Sequence, residues 1–172
     1  PTPPPLPQGR TETEMNVYAT LVRLGIPFER IDHAPTAGVD ECAGVEQLLG
    51  IRICKNLFLR NSRNEFHLLM IPGTKQFRSG DVSRLIGSTR LSFASPDDML
   101  RLLGTTPGSA SILGLIYDTG CAVRLIIDAE IAAGEFIGCH PCVNTSSLKI
   151  ATADIMNRFL PHTGHDPVIV TI

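Results

Sequence analysis

The chain has 172 residues, 43% of them hydrophobic and 19% charged, with a formal net charge of −2; that fits one ordinary globular domain and is short for two. The apolar fraction excludes a disordered chain, and no apolar run approaches the roughly 18 to 20 residues of a membrane-spanning helix. A charge near zero excludes a non-specific nucleic-acid coat, so DNA is not an expected partner and any phosphate-binding surface must be local.

The opening PTPPPLPQG holds five prolines in seven residues, which suits neither helix nor ladder. Residues 1–10 are therefore predicted to be a disordered tail, and residues 11–172 a single domain. Thr11-Glu12-Thr13-Glu14 has capping-box spacing, and apolar residues recur at three and four until Gly25, predicting a first helix. Phe28 to His33 reads as a strand, His33-Ala34-Pro35-Thr36 as a turn, and Asp40 to Leu49 as a helix stopped by Gly50. Lys55 to Arg60 and Phe66 to Ile71, separated by a polar turn, predict a β-hairpin. A short helix over Ser79 to Ile86 and a strand over Arg90 to Ala94 follow. Ser95-Pro96-Asp97-Asp98 then combines an N-cap, a first-turn proline and two acids on the positive helix end, starting a helix that ends at Gly104. Beyond a Gly/Thr/Ser-rich loop over 104–114, the pattern gives a strand at 122–127 and a turn or short helix at 128–133. A Gly-Cys-His-Pro-Cys loop follows at 138–142, then a strand at 146–150, a helix at 152–160 and a last strand at 168–172. Without a regular βαβ rhythm, this is an α+β chain with a mixed, barrel-like sheet surrounded by helices.

Five cysteines (Cys42, Cys54, Cys121, Cys139, Cys142) are an odd number, and the opening lacks a signal-like apolar core. Reduced thiols and a cytoplasmic location are expected. Residues 52–101 hold nine of the fifteen basic residues against four acids: either ordinary solvated faces or a phosphate-facing side. Lys55 shares a strand face with Leu57 and Leu59, so its ammonium leaves an apolar neighbourhood. It is either a snorkelling stem or a fixed charge at a pocket mouth. Cys139-His140-Pro141-Cys142 resembles half a metal site that Cys42, Cys54 or His33 would have to complete, but no second CxxC or HxxxH partner exists. No metal and no cofactor are expected; a rigid turn holding His140 is the preferred reading. The 104–114 loop can approach a ligand backbone closely through its glycines, yet lacks the P-loop ending and the dinucleotide spacing.

Taken in order, Leu24-Gly25-Ile26, His33-Ala34-Pro35, Lys55-Asn56-Leu57-Phe58-Leu59, Arg90-Leu91-Ser92-Phe93-Ala94, Thr106-Pro107-Gly108-Ser109, Gly114-Leu115 and Gly138-Cys139-His140-Pro141-Cys142-Val143-Asn144-Thr145 resemble the YbaK/prolyl-tRNA-editing family, in its free-standing ProX or ProXp-ala branch. The resemblance runs from about Glu14 to Ile172. It implies an aminoacyl-tRNA deacylase that clears alanine from mischarged proline tRNA, with the tRNA acceptor end and prolyl-tRNA synthetase as partners. By position it implies catalytic roles for Lys55, Gly108 and His140, and substrate contacts from Asn56, Ser109, Ile112, Gly114 and Asn144. Ile112 departs from the family's usual proline in the G-x-x-x-P loop, which bears on pocket shape and leaves serine, cysteine or threonine as alternative substrates.

The implied chemistry is coherent. A synthetase pocket discriminates a missing methylene by only about 1 to 3 kcal/mol, so a second, smaller pocket is needed to remove alanine. The ester is already activated, and positioning with electrostatic stabilisation suffices for water to attack it. Walls from Ile53, Leu57 and the 108–115 loop are expected to exclude proline's ring. A non-catalytic module that senses the aminoacyl end, and a metalloprotein centred on Cys139, His140 and Cys142, are the readings from other classes.

Overall fold

The structure, a computed structural model, describes residues 1–35 and 39–172, the side chains of residues 39–42 excepted. Thr36 of the predicted turn and the Cys42 side chain lie outside this description.

Capping residues set many of the helix limits. The Thr11 side chain accepts from the Glu14 N–H to start α1 (Glu12–Arg23), and Ser95 does the same for Asp98 at α4 (Pro96–Leu103), which Gly104 closes in the left-handed region. Between them lie β1 (Phe28–Asp32), α2 (Val39–Leu49), β2 (Cys54–Arg60), β3 (Phe66–Pro72), α3 (Ser79–Ile86) and β4 (Ser92–Phe93). A 3₁₀ segment (Ile112–Tyr117), β5 (Val123–Asp128), α5 (Ala129–Ala132), β6 (Phe136–Cys139) and β7 (Ser146–Ala151) follow. The chain ends with α6 (Thr152–Asp154), a π-helical turn (Ile155–Phe159), α7 (Leu160–Thr163) and β8 (Val168–Val170).

The fold is α+β, as expected, but its strands form no closed barrel. They make a three-stranded antiparallel sheet, β1-β7-β6, and a five-stranded mixed sheet, β4-β2-β3-β5-β8. Among the described residues, a single isolated bridge, Ile53 to Gly138, joins the two. Gly138 makes this approach possible: a Cβ there would lie 2.8 Å from the Arg52 carbonyl oxygen and 2.8 Å from Ile51 Cδ1. Four predicted elements change in form. The strand expected at 90–94 shortens to two residues, and the 138–142 loop begins as strand β6. The 104–114 loop runs into the 3₁₀ segment, and the last helix carries a π turn.

Five successive residues of the central strand β3, His67 to Ile71, are buried, as suits a strand covered on both faces. One face packs Leu68, Met70, Leu125 and Ile127 against α1, α4 and the inner face of the small sheet through Ile137, Leu148 and Ile150. The other packs Leu59, Leu69, Ile71 and Ile126 against Val82 of α3. The proline-rich opening, read from sequence as outside the fold, lies along β1. The Thr2 N–H donates to the Phe28 carbonyl at 2.7 Å, the Arg30 N–H donates to Thr2 Oγ1 at 2.9 Å, and Arg10 reaches Asp32 at 2.8 Å.

Candidate active site

β2 pairs with β3 along its whole length but with β4 only at Leu59 and Arg60. Its Cys54–Leu57 end is consequently an open edge. Because side chains alternate along a strand, Lys55 and Leu57 lie on one face and Cys54, Asn56 and Phe58 on the other. At an open edge both sets can border the same space. A cleft of about 550 Å³ lies there, with Cys54, Lys55, Asn56, Leu57 and Phe58 along one wall. Phe93, Ala94, Pro96 and Met99 form a second wall, Pro107, Gly108 and Ala110 a third, and His140 reaches in from the small sheet.

His140 follows β6 and is fixed by its own sheet. Its Nδ1 lies 2.8 Å from the Ser146 carbonyl oxygen, which can only accept, so the proton sits on Nδ1 and the Nε2 lone pair is left for a ligand. Burial pushes the imidazole below the ordinary histidine value against the opposing pull of the Ser146 carbonyl, so the ring is neutral at pH 7. The Ser147 hydroxyl, 3.4 Å from the same nitrogen, also meets His33 Nε2 at 2.8 Å. Ser146 is braced in turn: its hydroxyl donates to Asp32 Oδ1 at 2.7 Å and accepts from Arg10 Nη1 at 3.3 Å.

Lys55 Nζ donates to the Lys75 carbonyl at 2.9 Å. That contact aims the ammonium without neutralising it, and two of its three donors remain for a ligand. Lys75's own charge is absorbed by Asp128 at 2.9 Å and Glu130 at 3.3 Å. Asn56 acts as a tether, its Oδ1 accepting from the Ile112 N–H at 3.0 Å. Gly108 adopts φ +92° with open space where a Cβ would stand, so its backbone can be approached closely. Thr105 Oγ1 donates to the Cys142 carbonyl at 2.8 Å, tying this loop to the one that carries His140.

Lys55, Asn56, Gly108 and His140 thus share one cleft. Four other residues singled out from the sequence do not line it. Ile112 is fully buried in the main core, and only its N–H serves the site. Gly114 is a packing glycine, since a Cβ there would lie 2.6 Å from the Leu103 carbonyl. Ser109 is buried, its N–H closing a turn onto Thr106 at 3.1 Å, and Asn144 sits half-buried in the turn before β7. Of the expected walls, Leu57 lines the cleft, whereas Ile53 lines a separate cavity of about 300 Å³. That cavity gathers Glu130 and Glu135 around Arg52, the wrong balance of charge for RNA phosphate. Cys139 and Cys142 are buried, and burial raises both thiols, Cys142 to about 12; neither carries the thiolate that a free cysteine nucleophile needs. Ser147, Phe93 and Met99 join the site without having been assigned to it from sequence, and His33, considered there only as a metal ligand, meets the Ser147 hydroxyl. Alternation placed them on strands or helices but could not say which faces converge.

Comparison with known proteins follows the same lines. The model of the aminoacyl-tRNA editing domain family matches residues 33–157. The chain belongs to that family. This editing domain is 32% identical over 154 residues to prolyl-tRNA synthetase associated domain-containing protein 1 of Danio rerio, covering 88% of the chain and 83% of the relative. It is 29% identical over 147 residues to the prolyl-tRNA editing protein ProX of Acetoanaerobium sticklandii, covering 84% and 88%. In fold it is similar to a solved structure described as a candidate trans-editing enzyme for prolyl tRNA synthetase, with a TM-score of 0.68 at 15% identity over 94% of this chain and 98% of the other.

Proposed function

We propose that this editing domain hydrolyses the ester of mischarged proline tRNA in trans, with alanine as the amino acid removed, alongside prolyl-tRNA synthetase in the cytoplasm. The observation that carries this reading is the open edge of β2, where an uncompensated lysine, a bare glycine backbone and a neutral histidine border one cleft. Lys55 holds a phosphate or the ester region of the acceptor end. N–H groups of the Gly108 loop stabilise the carbonyl oxygen as it gains charge. His140 Nε2 accepts a proton from the attacking water or orients it, and the terminal ribose hydroxyl assists proton transfer. Water oxygen bonds to the carbonyl carbon, the bond to the ribose oxygen breaks, and that oxygen takes the proton. Free alanine and uncharged tRNA leave. Leu57, Phe58, Met99 and Ala110 give the cleft apolar sides against which a methyl group fits and a pyrrolidine ring collides.

The test is a deacylation panel on proline tRNA charged with alanine, serine, cysteine, threonine or proline. Hydrolysis of the alanine ester well ahead of the proline ester is expected. Equal rates for both would remove the size sieve, and binding with no turnover of any ester would make the domain a sensor rather than a hydrolase.

A further inference from the structure

Phe93 is 65% exposed although it lines the cleft. Its Cα lies opposite Leu59 of β2, so its side chain is on the strand face that carries Lys55 and Leu57. Leu59 lies four positions beyond Lys55, about 13 Å along the strand, so the ring stands at the far end of the cleft from the lysine. Phe77 meets it at an edge, with centroids 5.9 Å apart and planes inclined by 61°. The neighbour braces the ring and leaves most of its surface to solvent.

The charges that flank this pair in the sequence are equally one-sided. Arg78 follows Phe77 in sequence and Arg90 stands two residues before β4. Neither, nor Lys55, forms an ion pair among the described residues. Arg78 occupies the N-cap of α3 with no side-chain capping bond, where a cation opposes the helix dipole. Its charge is poorly placed for stability and well placed for an incoming anion. An exposed aromatic and its bracing partner, each with a guanidinium without an ion pair within three residues in the sequence, offer the chemistry that holds an unpaired nucleobase and its phosphates.

We propose that Phe93, braced by Phe77, is a stacking platform for the unpaired terminal nucleobase of the RNA strand whose ester enters the cleft, with Arg78 and Arg90 meeting the adjoining phosphates. The assignment rests on the reading of the cleft as an aminoacyl-ester site and deepens it: the base is held at the Phe93 end while the ester lies between Lys55 and His140.

Two measurements on the full chain test it. In the first, a short RNA strand carrying fluorescent 2-aminopurine as its 3′-terminal base is titrated with the wild type, Phe93→Ala and Phe93→Trp. Quenching is expected with the wild type and Phe93→Trp, and an affinity lower by about 5- to 150-fold with Phe93→Ala, the range of base–aromatic stacking. In the second, deacylation of alanine-charged proline tRNA should show a KM raised by a similar factor in Phe93→Ala, a kcat changed far less, and rescue by Phe93→Trp. Hydrolysis with an unchanged KM in Phe93→Ala and no quenching by the wild type overturns the platform and leaves the hydrolase reading intact. Quenching that depends on Phe93 without any hydrolysis supports the platform and overturns the hydrolase reading instead. Weaker binding of Phe93→Ala to prolyl-tRNA synthetase, with RNA quenching and KM unchanged, overturns the proposal by giving the face to a protein.

Discussion

The two sheets present their halves of the cleft by different physical means. The five-stranded sheet is held by apolar packing on both faces, with Leu68 and Leu69 of β3 fully buried in opposite clusters. The three-stranded sheet shares the main core on one face but fixes its cleft-facing end through a chain of polar contacts: Arg10, Asp32, Ser146 and then His140. Lysine and glycine need only a rigid platform, because a charge and a backbone N–H tolerate small displacements. An imidazole must hold one tautomer and one orientation, which takes directional bonds.

The largest expected effect strikes the polar side. His140→Ala should lower single-turnover deacylation by at least about 100-fold while thermal denaturation stays close to wild type, since the ring is only half-buried; unchanged turnover would move the proton-handling role elsewhere. Next comes the apolar side. Leu69→Ala should cost about 2 to 5 kcal/mol in urea denaturation, with kcat preserved in whatever fraction remains folded. Gly138→Val attacks the junction, where the new side chain meets the Arg52 carbonyl; a loss of about 1 to 3 kcal/mol is expected, and no loss would mean that the two sheets are not fixed to each other there.

The smallest effect is a response to acid. Burial lowers the pKa of both His67 and His140, helped at His67 by the Arg124 charge and opposed at His140 by the Ser146 carbonyl. The unfolded chain therefore binds protons first as pH drops through 6.5, and stability falls with pH from that point. Asp32 acts lower on the scale. Its burial would raise it, but bonds from Arg10 and Ser146 prevail and hold the carboxyl below the ordinary 3.8; its contribution is present above that value and disappears as pH falls through the folded one. Denaturation curves at several pH values should show the histidine decline first, and His67→Leu should flatten part of it.

Much of the fold was legible because its signals are local. Ser95-Pro96-Asp97-Asp98 and Gly104 bound α4 through capping chemistry that operates within one turn, and the β2–β3 hairpin follows from alternation around a polar turn. The splitting of the sheet was not legible, because it depends on Gly138 meeting Arg52, residues far apart in sequence. The site divides in the same way. Lys55 was readable as a charge leaving an apolar strand, and His140 as a ring fixed by its flanking residues. Ile112 misled: its place in the motif suggested a pocket wall, but a loop residue has no periodicity to tell which way its side chain points, and this one turns into the core. Phe93 was read only as part of a strand over 90–94; with just two of those residues in a strand, alternation could not mark it as an exposed aromatic.

The bonds of Arg10 carry a practical lesson for anyone handling this protein. A proline-rich leader invites trimming before crystallisation or assay, yet its last residue reaches both Asp32 and the Ser146 side chain, one residue's backbone away from the imidazole. Cutting after residue 10 would act as a remote lesion of the histidine's posture, and a shortened protein with weak turnover would be reporting the missing brace rather than the chemistry of the cleft.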